Sequence, residues 1–234
     1  MKLEDLPRFY APDAASDNLV SLATDEAHHL HVLRKQKGDW VHVMDGKGRL
    51  FEAEVVHTKR GELRVGTMLE TAESQQMHTL MVAPTKNIAR FEWVIEKATE
   101  LGIAKIIPIR SERSERVKLK EDRLIRIAVS AAKQSKDLFI PHIEALTDFE
   151  TALKVDGENK WIAHCSPGEK IALKAATQHA GTHIIAIGPE GDFSPDEVDL
   201  AISNGFSALS LGNKRLRTET AAVASALAMT LFNP

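Results

Sequence analysis

The chain has 234 residues, 43% of them hydrophobic and 27% charged, with a formal net charge of -3. That length fits one large domain or, more naturally, a small one plus a medium one, each able to bury a core. The composition excludes a disordered chain, a collagen-like repeat and a wholly basic coat for nucleic acid, so any RNA contact has to come from local clusters.

A single cysteine, Cys165, excludes an intramolecular disulfide framework and leaves no Cys pair at zinc-ligand spacing, which points to a reducing, cytoplasmic setting. Met1-Lys2-Leu3-Glu4-Asp5 is followed by no apolar stretch of the secretory kind, and no apolar run approaches the roughly 20 residues of a membrane helix. Neither secretion nor membrane insertion is expected.

Early in the chain, Arg8, Arg34, Lys35 and Lys37 make a basic cluster around His28, His29 and His31. The histidines lack a convincing carboxylate or Cys partner, so they read as a helix face or an RNA-facing group, not as a metal site. From Asp39 to Met68 the pattern is short and alternating. Val41 and Val43, the turn Asp45-Gly46-Lys47-Gly48, then Phe51, Ala53 and Val55 predict a hairpin, and Arg60-Gly61-Glu62 before Leu63 and Val65 predicts another. A small β domain over residues 1–72 follows, with the polar stretch Thr71 to Gln76 as linker.

Beyond it, over residues 77–234, strands alternate with helices. Leu80 to Ala83, Ile106 to Ile109, Trp161 to Ala163, Ile184 to Ile187 and Ala208 to Leu211 read as strands. Ile88 to Leu101 and Leu124 to Leu138 read as helices. Such alternation predicts a mostly parallel sheet with helices on both faces. Ser194, Pro195 and Glu197 form a helix start with a capping box, stapled by Phe193 and Val198 and stopped by Gly205. Asp192, just outside that start, either caps its own turn or lies where a ligand's polar atom binds. In the basic loop after the second strand, Arg110, Arg113 and Arg116 with Lys118 and Lys120 are interleaved with Glu112 and Glu115. That loop reads either as phosphate contacts or as a solvated loop with local ion pairs.

Two runs carry the most information: Ile187-Gly188-Pro189-Glu190-Gly191-Asp192-Phe193 and Leu211-Gly212-Asn213-Lys214-Arg215-Leu216-Arg217-Thr218-Glu219-Thr220-Ala221. Each sits where an apolar strand meets a Gly turn and a helix start, the place where α/β sheets bind ligands. Together, with Pro7-Arg8-Phe9-Tyr10, His28 to Arg34, Lys97 to Gly102 and Arg110 to Ser114, they resemble the SPOUT class of RNA methyltransferases, and within it the RsmE family.

The resemblance implies an α/β fold: a C-terminal SPOUT-type trefoil-knotted parallel sheet with helices on both faces, plus a small N-terminal PUA-like β-barrel that grips RNA. It implies S-adenosyl-L-methionine as cofactor, 16S rRNA in the small ribosomal subunit as partner, a homodimer, no metal, and methylation of uridine N3, expected at uridine 1498. Carried to this sequence, the cofactor loops are His164-Cys165-Ser166, then Ile187-Gly188-Pro189-Glu190-Gly191, then Ser210-Leu211-Gly212 continuing to Leu216-Arg217-Thr218. Glycines 188, 191 and 212 suit close backbone approach to adenine.

Arg217 is expected to stabilise a developing uracil oxyanion or clamp a phosphate, and Glu219 to accept a proton or to act as a helix N-terminal charge; Glu190 is a further catalytic candidate. RNA contacts are expected from Arg8, His29, Arg34, Lys35, Arg110, Arg113 and Arg116. The segment Lys133-Gln134-Ser135-Lys136-Asp137 departs from a Glu-Gln pair followed by Arg that is common in the family, and Asp192 stands where a third Gly is common. The alternatives are a SPOUT enzyme with another base or a ribose 2′-hydroxyl as target, and a catalytically silent ribosome-assembly factor. No Walker or dinucleotide Gly fingerprint follows the first strand, which disfavours a nucleotide-binding α/β protein of another type.

Overall fold

The computed structural model describes residues 6–74 and 77–232, the side chain of residue 232 excepted. The first five residues, and residues 75 and 76 of the expected linker, lie outside the described residues. The chain divides into two compact units, Met1–Ser74 with Ala132–Ile140, and Gln75–Ala131 with Pro141–Pro234.

In the first unit, period-two alternation produces β3 (Trp40–Met44), β4 (Arg49–His57) and β5 (Glu62–Thr71), preceded by β1 (Arg8–Tyr10), β2 (Leu19–Ser21) and helix α1 (Thr24–Val32). The strand order is β1-β3-β4-β5-β2. Val41, Val43, Phe51, Ala53 and Val55 face one core, as their alternation predicts, together with Phe9, Val20, Leu30 and Leu63. The strands at the two ends of that order both feed this core, through Phe9 and Val20, so the sheet curls around it. Thr71 is the last residue of β5, opposite Arg49, and so belongs to the sheet and not to the linker.

Residues 132–140 cluster with this unit for identifiable reasons. Ala132 and Leu138 pack with Met44 and Leu50. The Lys133 ammonium pairs with the Glu26 carboxylate at 2.5 Å, both side chains being nearly buried, and Arg8 donates through Nη1 to the Lys136 carbonyl at 2.8 Å. The helix expected to reach Leu138 is α3 (Glu121–Ser135) and stops earlier. Lys136 adopts a left-handed conformation, φ 62°, which breaks the helical run and frees Leu138 to enter the core of the first unit.

The second unit contains β6 (Thr79–Val82), α2 (Ile88–Glu100), β7 (Lys105–Arg110), β8 (His142–Ile143), β9 (Thr147–Asp148), α4 (Phe149–Ala152), β10 (Asn159–Ala163), β11 (Ile171–Ala172), α5 (Leu173–Ala176), β12 (His183–Ile187), α6 (Pro195–Ser203), β13 (Ser207–Ser210) and α7 (Thr218–Phe232). Its strands run β11-β13-β10-β12-β6-β7-β8, with β9 also on β7, and every pairing is parallel. One sheet face presents Met81, Ile107, Ile109, Ile162, Ile184 and Ala186 to Phe149 and Leu153, at and just beyond α4, and to Val198 and Ala201 of α6. The other face, carrying Leu80 and Ile185, lies under α7, which packs on β6 and β12 and against α2. Parallel strands covered on both faces read as continuous apolar runs, and these do.

The Ser194 capping box forms as its sequence predicts: Ser194 Oγ accepts from Glu197 N–H, and the Glu197 carboxylate accepts from Ser194 N–H at 2.9 Å. At the amino-terminal strand edge, Trp161 Nε1–H donates to His183 Nδ1 at 3.2 Å, while His183 Nε2 faces the His179 carbonyl at 2.8 Å. That pair of partners selects the neutral tautomer protonated on Nε2. Among the described residues, no helix is long and apolar enough to cross a membrane, and no group of His, Cys, Asp or Glu is placed to hold a metal ion.

Candidate functional site

Strands β13, β10 and β12 are neighbours, so the loops leaving their carboxyl ends meet, and they enclose a cavity of about 720 Å³. A volume of that order suits a small-molecule ligand, for which roughly 300–1,000 Å³ is usual. The walls bring together most of the residues expected there: His164 and Cys165, Ile187 to Glu190, Ser210 to Gly212, and Leu216 to Thr218. Ser166 and Gly191 do not line the cavity. Arg90, Lys170 and the stretch Asn213 to Arg215 do, and sequence reasoning did not assign them to it. Arg90 comes from α2, far away in sequence, and only the packing of α2 on α7 brings it here.

The three glycines play different parts. A Cβ on Gly188 would stand 3.1 Å from the Phe193 ring, and one on Gly191 would stand 3.2 Å from the Arg113 side chain. Both positions therefore serve packing within the protein. Gly212 alone has open space where a Cβ would be, and its φ of 115° is a left-handed conformation that favours glycine.

Asp192 holds the walls together. Its φ of 65° is unusual for a residue with a side chain. From there, Oδ1 accepts the Phe193 N–H at 2.9 Å and Oδ2 accepts the Cys165 N–H at 2.8 Å. Asp192 thus caps its own turn and also ties the 188–192 loop to the 164–166 loop. Thr218 Oγ1 makes a parallel tie, donating to the Gly188 carbonyl at 3.1 Å.

His164 lines the cavity with neither ring nitrogen hydrogen-bonded among the described residues, although both atoms are buried. Burial, then the nearby Lys170 charge, pushes its imidazole below the ordinary value, so the ring is neutral near pH 7. Lys170 Nζ reaches the His164 carbonyl at 2.8 Å and steadies the loop.

The catalytic candidates separate by environment. Glu190 is engaged structurally, since its Oε1 accepts the Lys86 N–H at 3.0 Å. Glu219 is only 9% exposed; its Oε1 lies 3.5 Å from Arg90, and its Oε2 is buried without a hydrogen-bond partner among the described residues. Arg217 is exposed at the cavity wall, and its guanidinium has no partner among the described residues.

Most of the expected RNA-facing side chains are internally engaged. Arg110 pairs with Asp148 at 2.5 Å, Arg113 donates to the Gly191 carbonyl at 2.9 Å, and Arg116 donates to the Lys86 and Thr85 carbonyls at 2.7 and 3.2 Å. In the first unit, Arg8 bonds the Lys136 carbonyl and Lys35 the Trp40 carbonyl, and the His29 ring centre lies 5.6 Å from that of Phe9. Arg34 closes α1 in a left-handed conformation, φ 54°.

Residues 72–230 match the family model of the RNA methyltransferase domain, and residues 22–67 match that of the RNA methyltransferase PUA domain. The cavity thus belongs to an RNA methyltransferase domain, and the curled sheet to a PUA-like one. The chain is 34% identical to the ribosomal RNA small subunit methyltransferase E of Synechocystis, over 90% of this chain and 72% of that protein. It superposes with a TM-score of 0.85 on the crystal structure of a probable rRNA-methyltransferase from Porphyromonas gingivalis, 36% identical over 97% of this chain and 98% of the other. A ribosomal RNA small subunit methyltransferase E from Neisseria gonorrhoeae, solved bound to S-adenosyl methionine, gives a TM-score of 0.80 at 30% identity, with 96% of each chain covered. This chain belongs to the ribosomal RNA small subunit methyltransferase E family.

Proposed function

We propose that the chain methylates N3 of a uridine in 16S rRNA of the small ribosomal subunit, at the position expected from the family, uridine 1498, using S-adenosylmethionine. The observation that carries this reading is the cavity at the ends of β10, β12 and β13, in a chain whose relative from Neisseria gonorrhoeae is solved with S-adenosyl methionine bound.

The residues present suit that cofactor. Leu211, Leu216 and Ile187 offer apolar walls for a base, and open space beside Gly212 leaves its main chain accessible. The unpartnered nitrogens of the neutral His164 ring offer one donor and one acceptor to polar groups of the ligand. When bound, the cofactor supplies a methyl group already activated on a sulfonium.

What the protein must add is orientation and charge management. Uridine N3 lies on the Watson–Crick edge, so the base must be unpaired and must lose a proton. In this reading Arg217, exposed and with its guanidinium unpaired among the described residues, stabilises negative charge on a uracil oxygen. Glu219, oriented by Arg90, has an unpartnered carboxylate oxygen to accept the proton, directly or through water.

Three further parts belong to this reading. A cytoplasmic setting and a homodimer are both part of it, the homodimer supported by exposed Trp93 on α2 and Leu227 and Leu231 on α7, an apolar set suited to a second copy. Sedimentation showing a monomer at micromolar concentration would count against it. The trefoil threading is supported by strand order: β13 lies on the far side of β10 from β12, whereas α7, which follows it, packs on β12 and β6. Contact with rRNA by the PUA-like unit is the third.

The test is incubation of the protein and labelled S-adenosylmethionine with unmethylated small subunits, followed by nucleoside identification. Stoichiometric 3-methyluridine at one position is expected. Another methylated base, or a methylated ribose, overturns the target, and cofactor binding without transfer to any RNA overturns the activity.

A further inference from the structure

The chain is acidic overall, yet five cations line the one cavity described above: Arg90, Lys170, Lys214, Arg215 and Arg217. Two of them are engaged, Arg90 with Glu219 and Lys170 with the His164 carbonyl. Lys214, Arg215 and Arg217 are exposed, and their charged side-chain groups have no hydrogen bond or ion pair among the described residues. The acidic residues of the lining form no ion pair with them among the described residues; the carboxylates of Glu190 and Asp192 instead accept backbone N–H groups of Lys86, Cys165 and Phe193.

Three unpaired cations within four consecutive residues repel one another, and a compact fold tolerates that best where an anion is meant to settle. The cofactor of the proposed reaction cannot be that anion. With a sulfonium, an ammonium and one carboxylate, it is a net monocation and adds to the positive field. The arginines of the 110–116 loop contrast with this rim, because their guanidinium groups already hold Asp148 and the carbonyls of Gly191, Thr85 and Lys86.

Resting on the methyltransferase reading, we infer that Lys214 and Arg215 bind the backbone phosphates flanking the target nucleotide, forming the site's own RNA clamp at the cavity mouth. Phosphate contacts position a strand without reading its sequence. Held there, the strand presents its unpaired base to Arg217 and the cavity. The basic loop at 110–120 then contributes little to this contact, the reverse of what its composition suggests.

The experiment measures co-sedimentation of the protein with unmethylated small ribosomal subunits across a salt series. It compares wild type, Lys214→Ala/Arg215→Ala, and Lys118→Ala/Lys120→Ala, an equal loss of exposed charge elsewhere. Calorimetric affinity for S-adenosylmethionine is measured on each. Losing two contacts to single-stranded RNA should flatten the log–log salt dependence by about 1.4 and weaken binding roughly tenfold or more at low salt. The Lys118/Lys120 variant should bind as wild type does.

Equal binding by wild type and the Lys214/Arg215 variant overturns the inference. So does equal weakening in both variants, which would mean nonspecific attraction, or loss of cofactor affinity in step with RNA binding, which would mean a damaged cavity. Wild-type protein that binds subunits through this rim but transfers no methyl group to uridine would overturn the proposed function and leave the clamp standing. Wild type that does not bind subunits overturns both.

Discussion

Asp192 and Cys165 meet across the mouth of the second unit's sheet, the Asp192 carboxylate accepting the Cys165 N–H at 2.8 Å. The bond joins loops that leave two adjacent strands, and it requires Asp192 to hold a left-handed backbone, φ 65°. Replacement by glycine relieves backbone strain but deletes both amide contacts. Asp192→Gly should therefore cost little thermal stability yet weaken cofactor affinity by roughly tenfold, about 1.4 kcal/mol, just under the low end for a hydrogen bond to a charged group. Asp192→Asn, which keeps one acceptor oxygen, should fall between. Calorimetric titration with S-adenosylmethionine checks both, and a glycine variant that binds as tightly as wild type would remove the positioning role.

Arg217 and Glu219 should fail in different ways. The Arg217 guanidinium has no partner among the described residues, so Arg217→Ala should leave the melting temperature unchanged while lowering kcat/KM by about 10²–10³-fold, the usual effect of removing one donor to developing charge. Glu219 is nearly buried, beside Arg90 and at the start of α7. Glu219→Ala should lower activity and also stability, by about 1–2 kcal/mol, because an acidic group at a helix N-terminus and its paired arginine are both affected. Thermal denaturation alongside single-turnover kinetics separates the two cases.

Acid should destabilise the fold through its buried histidines. Burial is the first cause holding His42, His164 and His183 below the ordinary value, helped at His42 by Arg8 and at His164 by Lys170. At His183, hydrogen bonding to the His179 carbonyl and the charge of Glu158 oppose that shift, while His78 and His179 reinforce it. The unfolded chain binds protons on these groups first, from about pH 6.5 downward, so stability is complete above that pH. It is lost as pH falls from there toward the lower folded values. Urea unfolding midpoints should drop between about pH 7.5 and about pH 5.5, and a midpoint that is flat or rises across that window would contradict this account.

Lys133 is the residue on which the departing segment of α3 turns. Its ammonium meets Glu26 at 2.5 Å, and that carboxylate also accepts the Tyr10 N–H at 2.9 Å. Lys133→Ala leaves a nearly buried carboxylate without its cation and should destabilise the chain by about 3 kcal/mol, near the low end for breaking a buried pair. Lys133→Ala/Glu26→Gln should recover part of the loss, as read by chemical denaturation.

Much of the second unit was legible in the sequence because its elements are long or capped. The strands at Trp161 to Ala163 and Ile184 to Ile187 are continuous apolar runs, and the helix after Ser194 carries a complete capping box. Strands of two or three residues, such as Leu19–Ser21, His142–Ile143 and Ile171–Ala172, are too short to show any period. Within the site, Gly-turn loops announced the walls, but not that Gly188 and Gly191 make room for Phe193 and Arg113. Arg90 and Lys170 carried no local signal at all, since only packing brings them to the cavity. Charge counting likewise could not tell a cation already bonded to a carbonyl, as at Arg116, from one left unpaired, as at Lys214.

Apart from Arg90, the cavity wall is drawn from residues 163–221, with its strands interleaved so that β13, the last of them in sequence, lies beside β10 and not beside β12, the strand before it in the wall. During synthesis, therefore, the chain must emerge through residue 221 before the walls of the cavity are complete. A nascent copy cannot capture its small molecule early and use it as a folding template.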